Sequence, residues 1–142
     1  MSRTNIYLNF MGDTEEAFAF YAAAFGTQVS GLQRMNEMPS PSGEWSDQDG
    51  HKVMHVELPI LGGTFLMGTD MLESMGHQIR IGNNMTLNLE VDTRDETDRL
   101  YAALADGGSD STGMQQLPWG YWGCTLDRFG IRWMFNCAEP AA

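Results

Sequence analysis

Apolar and polar positions along this chain follow two periods, one helical and one of alternating strands. From Thr14 to Phe25, the residues Ala17, Phe18, Tyr21, Ala24 and Phe25 recur at helical spacing and make one apolar stripe. Asp13 or Thr14 suits the N-terminal cap, Glu15 and Glu16 suit the positive end of the helix, and Gly26 stops it. Residues 94–106 repeat the design. Thr93 stands as cap, Asp95 and Glu96 lie in the first turn, Leu100, Ala103 and Leu104 point inward, and Gly107-Gly108 ends the helix. Strand character marks Asn5–Phe10, Val53–Pro59, Thr64–Met67, Thr86–Val91, Trp122–Leu126 and Ile131–Asn136, short runs rich in β-formers and bounded by Gly, Pro, Asn or Asp. Gly62-Gly63 reads as a tight hairpin turn, and Asp127-Arg128-Phe129-Gly130 plays the same part between the last two strands. Residues 36–50, dense in Pro, Ser, Gly and Asp, read as a long mobile loop: a functional lid, or a plain surface excursion. Residues 70–84 read as the connection between two halves.

The halves resemble each other. Leu8-Asn9 followed by Asp13-Thr14 recurs as Leu87-Asn88 followed by Asp92-Thr93, at an offset of 79. Tyr21-Ala22-Ala23 recurs as Tyr101-Ala102-Ala103 at an offset of 80. Each strand therefore feeds a capped helix ending in glycine, then a loop and a late hairpin. A period near half the chain length points to a duplicated supersecondary unit, not a solenoid, which needs at least three repeats. The expected architecture is α+β: one domain over residues 1–142, with the internal repeat at about 5–70 and 84–137, enclosing an apolar cup.

Composition narrows the function. A chain of 142 residues, 42% apolar and 11% aromatic, buries a core without staples. Cys124 and Cys137 have no metal-site or disulfide-framework spacing and read as reduced thiols of a cytoplasmic protein. The net charge of −11, with Lys52 the single lysine, gives nucleic acid and anionic membranes no electrostatic footing. No run has the ~18–20 apolar residues of a membrane span, and no signal-peptide h-region follows Met1. Neither a Walker loop, nor a GxGxxG after a strand, nor a GxSxG elbow occurs.

Local motifs then point to a family. Tyr7-Leu8-Asn9-Phe10 with Glu16-Ala17-Phe18 and Phe20-Tyr21 resembles the opening of the PhnB-like branch of the vicinal oxygen chelate superfamily, which includes glyoxalase I, bleomycin-resistance proteins and extradiol dioxygenases. Val53-Met54-His55-Val56-Glu57-Leu58 with Gly62-Gly63 and Leu66-Met67-Gly68-Thr69-Asp70 is similar to it too. So are Gly82-Asn83-Asn84, the segment from Gln116 to Gly123, and the run from Asp127 to Met134. The resemblance implies two βαβββ modules (the glyoxalase/bleomycin-resistance/dioxygenase fold) whose curved sheet surrounds a ligand-holding cup, in a homodimer. In metal-dependent members four strand residues, His or Glu, hold a divalent ion that polarises a substrate oxygen or binds dioxygen. Here the corresponding slots fall near Ile6, Met67, Thr86 (or Met85) and Met134, which offer hard ions no imidazole or carboxylate. No cofactor is therefore expected, and a divalent metal only at a non-standard site.

Several residues remain as candidates. His55 and Glu57, at i and i+2 of one strand, suit a base with its orienting carboxylate, half of a metal site, or a half-exposed strand face; His51 lies further back. His77 reads as solvated. Asn9 and Asn88 hold equivalent repeat positions, as cup-facing amides or as backbone partners at strand edges. Trp119, Tyr121, Trp122, Trp133 and Phe135 form an aromatic cluster; Trp119, in a Pro-Trp-Gly loop, reads as a ligand contact and Trp133 as core. Cys124 has no cationic neighbour in sequence to make it a nucleophile. The ligand-binding set is thus Asn9, His55, Asn88, Trp119, Tyr121 and Trp122. Two functions stay open: a metal-free protein that holds a small, partly apolar molecule, or a metal-dependent lyase or dioxygenase with a displaced metal site.

Overall fold

The computed structural model describes all 142 residues and divides into two compact units, Met1–Arg80 and Ile81–Ala142. In the first unit, β1 (Ile6–Phe10) leads into α1 (Thr14–Phe25), followed by β2 (Gly31–Arg34), the short α2 (Asp47–Gly50), β3 (Val53–Pro59) and β4 (Phe65–Asp70). The second runs β5 (Leu87–Glu90), α3 (Arg94–Ala105), β6 (Gln115–Leu117), β7 (Gly120–Leu126) and β8 (Arg132–Cys137). Each unit is therefore one βαβββ module. The strand orders, β1-β4-β3-β2 and β5-β8-β7-β6, are the same permutation: the first strand lies parallel beside the last, and the other pairs are antiparallel.

In both sheets one face carries the helix. Leu8 and Phe10 of β1, Val56 and Leu58 of β3 and Leu66 of β4 are buried with Ala17, Phe18, Tyr21, Ala24 and Phe25, the whole of the expected stripe. In the second unit Leu100 and Leu104 of α3 are buried with Leu89, Trp133 and Phe135, while Ala103 is half-buried. Tyr101 and Phe135 meet edge to face, ring centroids 5.2 Å apart. Trp133 is core, as its residue type suggested, and its indole N–H donates to the buried Asp127 at 2.8 Å.

The structure corrects several local expectations. Asp13 makes no side-chain cap of α1. The cap comes instead from the last residue of β4, where Asp70 Oδ1 accepts from Gly12 N (2.9 Å), Thr14 N (3.1 Å) and the Thr14 hydroxyl (2.7 Å). Its Oδ2 accepts from Val53 N at 2.8 Å, so one buried carboxylate ties α1 to the start of β3. Thr93 does cap α3, accepting from Glu96 N at 3.2 Å. Two strands, β2 and β6, were not legible; both are edges, where a strand needs no continuous apolar run. The 36–50 segment is organised by α2 and by the Trp45 indole donating to Met38 O at 2.7 Å. The Gly62-Gly63 hairpin is present, with both glycines at positive φ, +63° and +76°, where a side chain would be strained.

Candidate functional site

Alternation along the strands settles which side chains leave the helix side. Because Leu8 and Phe10 are buried on that side, Tyr7 and Asn9 project from the opposite, open face of the first sheet. Register then aligns their neighbours. Tyr7 pairs with Met67, which pairs with Glu57; Asn9 pairs with Thr69; and His55, opposite Gln33, lies one step along β3.

On this face the Tyr7 hydroxyl and His55 Nδ1 are 3.0 Å apart, and His55 Nε2 is 3.1 Å from Glu57 Oε1. The Tyr7 and His55 rings lie 5.6 Å apart at a 32° tilt. Burial pushes the Tyr7 hydroxyl above the ordinary tyrosine value, so it remains a protonated donor. All three side chains still reach solvent, with Tyr7 48% exposed. The His55–Glu57 pair was visible in sequence as an i, i+2 spacing. Tyr7, 48 residues away, was missed, because only the β1-β4-β3 order brings it alongside.

The other candidates disperse. Asn9 is exposed beside Thr69. On the open face of the second sheet Asn88 accepts from Asn136 Nδ2 at 2.6 Å, and Trp122 is half-buried opposite Asn136. Tyr121 projects to the other side, where its hydroxyl donates to Asp98 of α3 at 2.5 Å under the Arg94 guanidinium, 4.2 Å from the ring centroid. The Asp98 carboxylate holds the Tyr121 hydroxyl above its usual range. Trp119 sits in the β6–β7 turn, 69% exposed. His51 follows α2 rather than lying on β3, its Nδ1 2.7 Å from Asp47 O. His77 is not a free solvated ring: its Nδ1 accepts from Leu72 N at 3.0 Å and orders the turn after β4. Burial raises the Cys124 thiol, which keeps it a poor nucleophile.

The first-strand metal slots also move, while Met67 and Met134 stay on the open faces. Ile6 shares the phase of the buried Leu8 and Phe10, and Thr86 precedes β5, so the open-face positions are Tyr7 and Asn9 on β1 and Asn88 and Glu90 on β5. Facing them are Met67 and Thr69, and Met134 and Asn136. Of these side chains, the Met67 and Met134 thioethers are soft donors that a hard divalent ion does not take. No three His, Cys, Asp or Glu side chains gather as a metal-holding group.

A family model described as 3-demethylubiquinone-9 3-methyltransferase matches residues 2–135. The crystal structure of protein PA1353 from Pseudomonas aeruginosa is 30% identical, with a TM-score of 0.85 over 99% of this chain and 100% of that one. A putative 3-demethylubiquinone-9 3-methyltransferase, PhnB protein, from Bacillus cereus is 23% identical with a TM-score of 0.76, over 96% and 100% of the two chains. A glyoxylase/bleomycin resistance protein/dioxygenase domain from Frankia shares the fold at 15% identity and a TM-score of 0.67, covering 98% of each chain. No helix is long and apolar enough to cross a membrane.

Proposed function

Because the chain belongs to the PhnB-like family described as 3-demethylubiquinone-9 3-methyltransferase, within the glyoxalase/bleomycin-resistance/dioxygenase superfamily, we propose that it binds a small, partly apolar molecule without the superfamily's metal. We place the ligand on the open face of the first sheet. The observation that carries this reading is the Tyr7–His55–Glu57 chain beside the apolar Met67 and Phe65, a few convergent polar groups on an otherwise soft surface. The thioethers of Met67 and Met134, at slots that hold His or Glu in metal-dependent members, favour a metal-free site. The protein works in the cytoplasm as a homodimer under this proposal; a monomer by light scattering at micromolar concentration overturns the dimer.

The experiment pairs elemental mass spectrometry of tag-free protein with thermal-shift titration of Mn²⁺, Fe²⁺, Co²⁺, Ni²⁺ and Zn²⁺. A specific ion at 100 times its dissociation constant adds ~2.7 kcal/mol of apparent stability. The expected result is no stoichiometric ion and no shift. A near-stoichiometric ion whose shift His55→Ala abolishes would instead make a metal-dependent lyase or dioxygenase built on His55 and Glu57 the leading reading. An arm with S-adenosylmethionine tests the methyl transfer named in the family description, and a saturable shift there would replace the binding reading.

A further inference from the structure

Resting on that binding reading, we infer that the first sheet's open face selects a small cationic hydrogen-bond donor, a primary or secondary ammonium on an apolar body. The protons in the Tyr7–His55–Glu57 chain run one way. An ionised carboxylate only accepts, so His55 Nε2, 3.1 Å from Glu57 Oε1, carries the imidazole proton. In the neutral ring Nδ1 is then a lone pair, and the Tyr7 hydroxyl 3.0 Å away donates to it. The only proton of Tyr7 is thereby spent, while its oxygen keeps acceptor capacity. Glu57 Oε2 is likewise uncommitted. Both open ends of the chain are acceptors.

A carboxylate or phosphate ligand would bring lone pairs to lone pairs and a negative charge to Glu57. An ammonium supplies the missing donors and the missing charge together. The apolar surroundings agree. Met67 lies between Tyr7 and Glu57 in the strand register, and the half-exposed Tyr7 ring offers a face to a cation. The net charge of −11 draws cations toward the protein as a whole.

Three probes sharing one ring separate the possibilities: benzylammonium, benzyl alcohol and benzoate, titrated at neutral pH while the His55 ring nitrogens and the Met67 methyl are followed by NMR. Benzylammonium should bind about fivefold tighter than benzyl alcohol, the gain from one half-exposed ion pair, and benzoate weakest of all. Glu57→Gln, nearly isosteric and checked for an unchanged melting temperature, should erase the preference. Before any probe is added, His55 should carry its proton on Nε2. Equal binding of all three probes, a preference for benzoate, a preference that survives Glu57→Gln, or a proton on Nδ1 would each overturn the ligand class while leaving the binding reading intact. Failure of every probe to move His55 or Met67 would overturn both.

Discussion

Replacing Asp70 should destabilise the first unit far more than replacing Asp13, although sequence position alone favours Asp13 as the cap of α1. Asp70 is 4% exposed and accepts four hydrogen bonds, from Gly12 N, Thr14 N, Thr14 Oγ1 and Val53 N. In Asp70→Ala the Gly12 amide is exposed and finds water. The Thr14 amide and hydroxyl and the Val53 amide are sealed in. Each buried donor left unpaired costs ~1–3 kcal/mol, so the three should cost about 6 kcal/mol. Loss of a negative charge at the α1 N-terminus adds up to ~1 kcal/mol. Against a typical stability of ~5–15 kcal/mol, that approaches unfolding. Asp70→Asn is the measurable variant. It keeps one acceptor oxygen and turns an amide donor against one of its former partners, at about 2 kcal/mol. Asp13→Ala, whose side chain makes no cap bond, should change stability by less than about 0.5 kcal/mol. Urea denaturation followed by circular dichroism reads all three. An Asp70→Asn midpoint equal to wild type, or an Asp13→Ala loss as large as that of Asp70→Asn, would refute the reasoning.

Other sites yield sharper single tests. A Cβ added at Gly68 would lie 2.6 Å from Phe18 Cε1 and 3.2 Å from Leu8 O, so Gly68→Ala should cost ~1–3 kcal/mol by overpacking. Pairing it with Phe18→Leu should recover part of that loss in the same urea assay. Trp133→Phe removes a buried indole donor to Asp127 and some core volume, and should lower stability by ~2–4 kcal/mol. The Ser74 hydroxyl, 2.5 Å away, and the Lys52 ammonium, 3.0 Å away, hold the Asp49 carboxyl below its usual range. A folded-state value below the unfolded one stabilises above the ordinary carboxylate range and is lost as pH falls through the depressed value. Asp49→Asn should therefore flatten the acid limb of stability measured from neutral pH to about pH 3; parallel limbs for the two proteins would contradict this.

What was legible in sequence was what is decided locally. The stripe from Ala17 to Phe25, the stop at Gly26 and the glycine turn at 62–63 need only near neighbours, and the α1 boundaries match. The cap at Asp70 depends on a partner 56 residues from Thr14, and Tyr7 on one 48 residues away. No period in the sequence carries such pairings. Strand phase was the other blind spot. Tyr121 and Trp122 are adjacent aromatics, and a slip of one residue exchanges their faces. Asp98 on α3 decides the matter by taking the Tyr121 hydroxyl. The first-strand slot slipped for the same reason, since counting from the repeated Asp reaches Ile6 on the helix side instead of Tyr7, whereas Met67 and Met134 do lie on the open faces.

Phase also explains why the two modules, alike in strand order, differ as sites. At the repeat offset, Leu8 and Phe10 match Leu87 and Leu89 on the helix side, and Asn9 matches Asn88 on the open side. The packing side was preserved because each module must bury its helix. The open side was under no such demand. Tyr7 matches Thr86, which falls before β5 begins, so the second module has no first-strand hydroxyl aligned over its sheet. Its counterpart of Asn9 is occupied by Asn136. Only the first sheet assembles a histidine with a carboxylate on one side and a phenol on the other, and that chain of polar groups is what sets its open face apart from the second's.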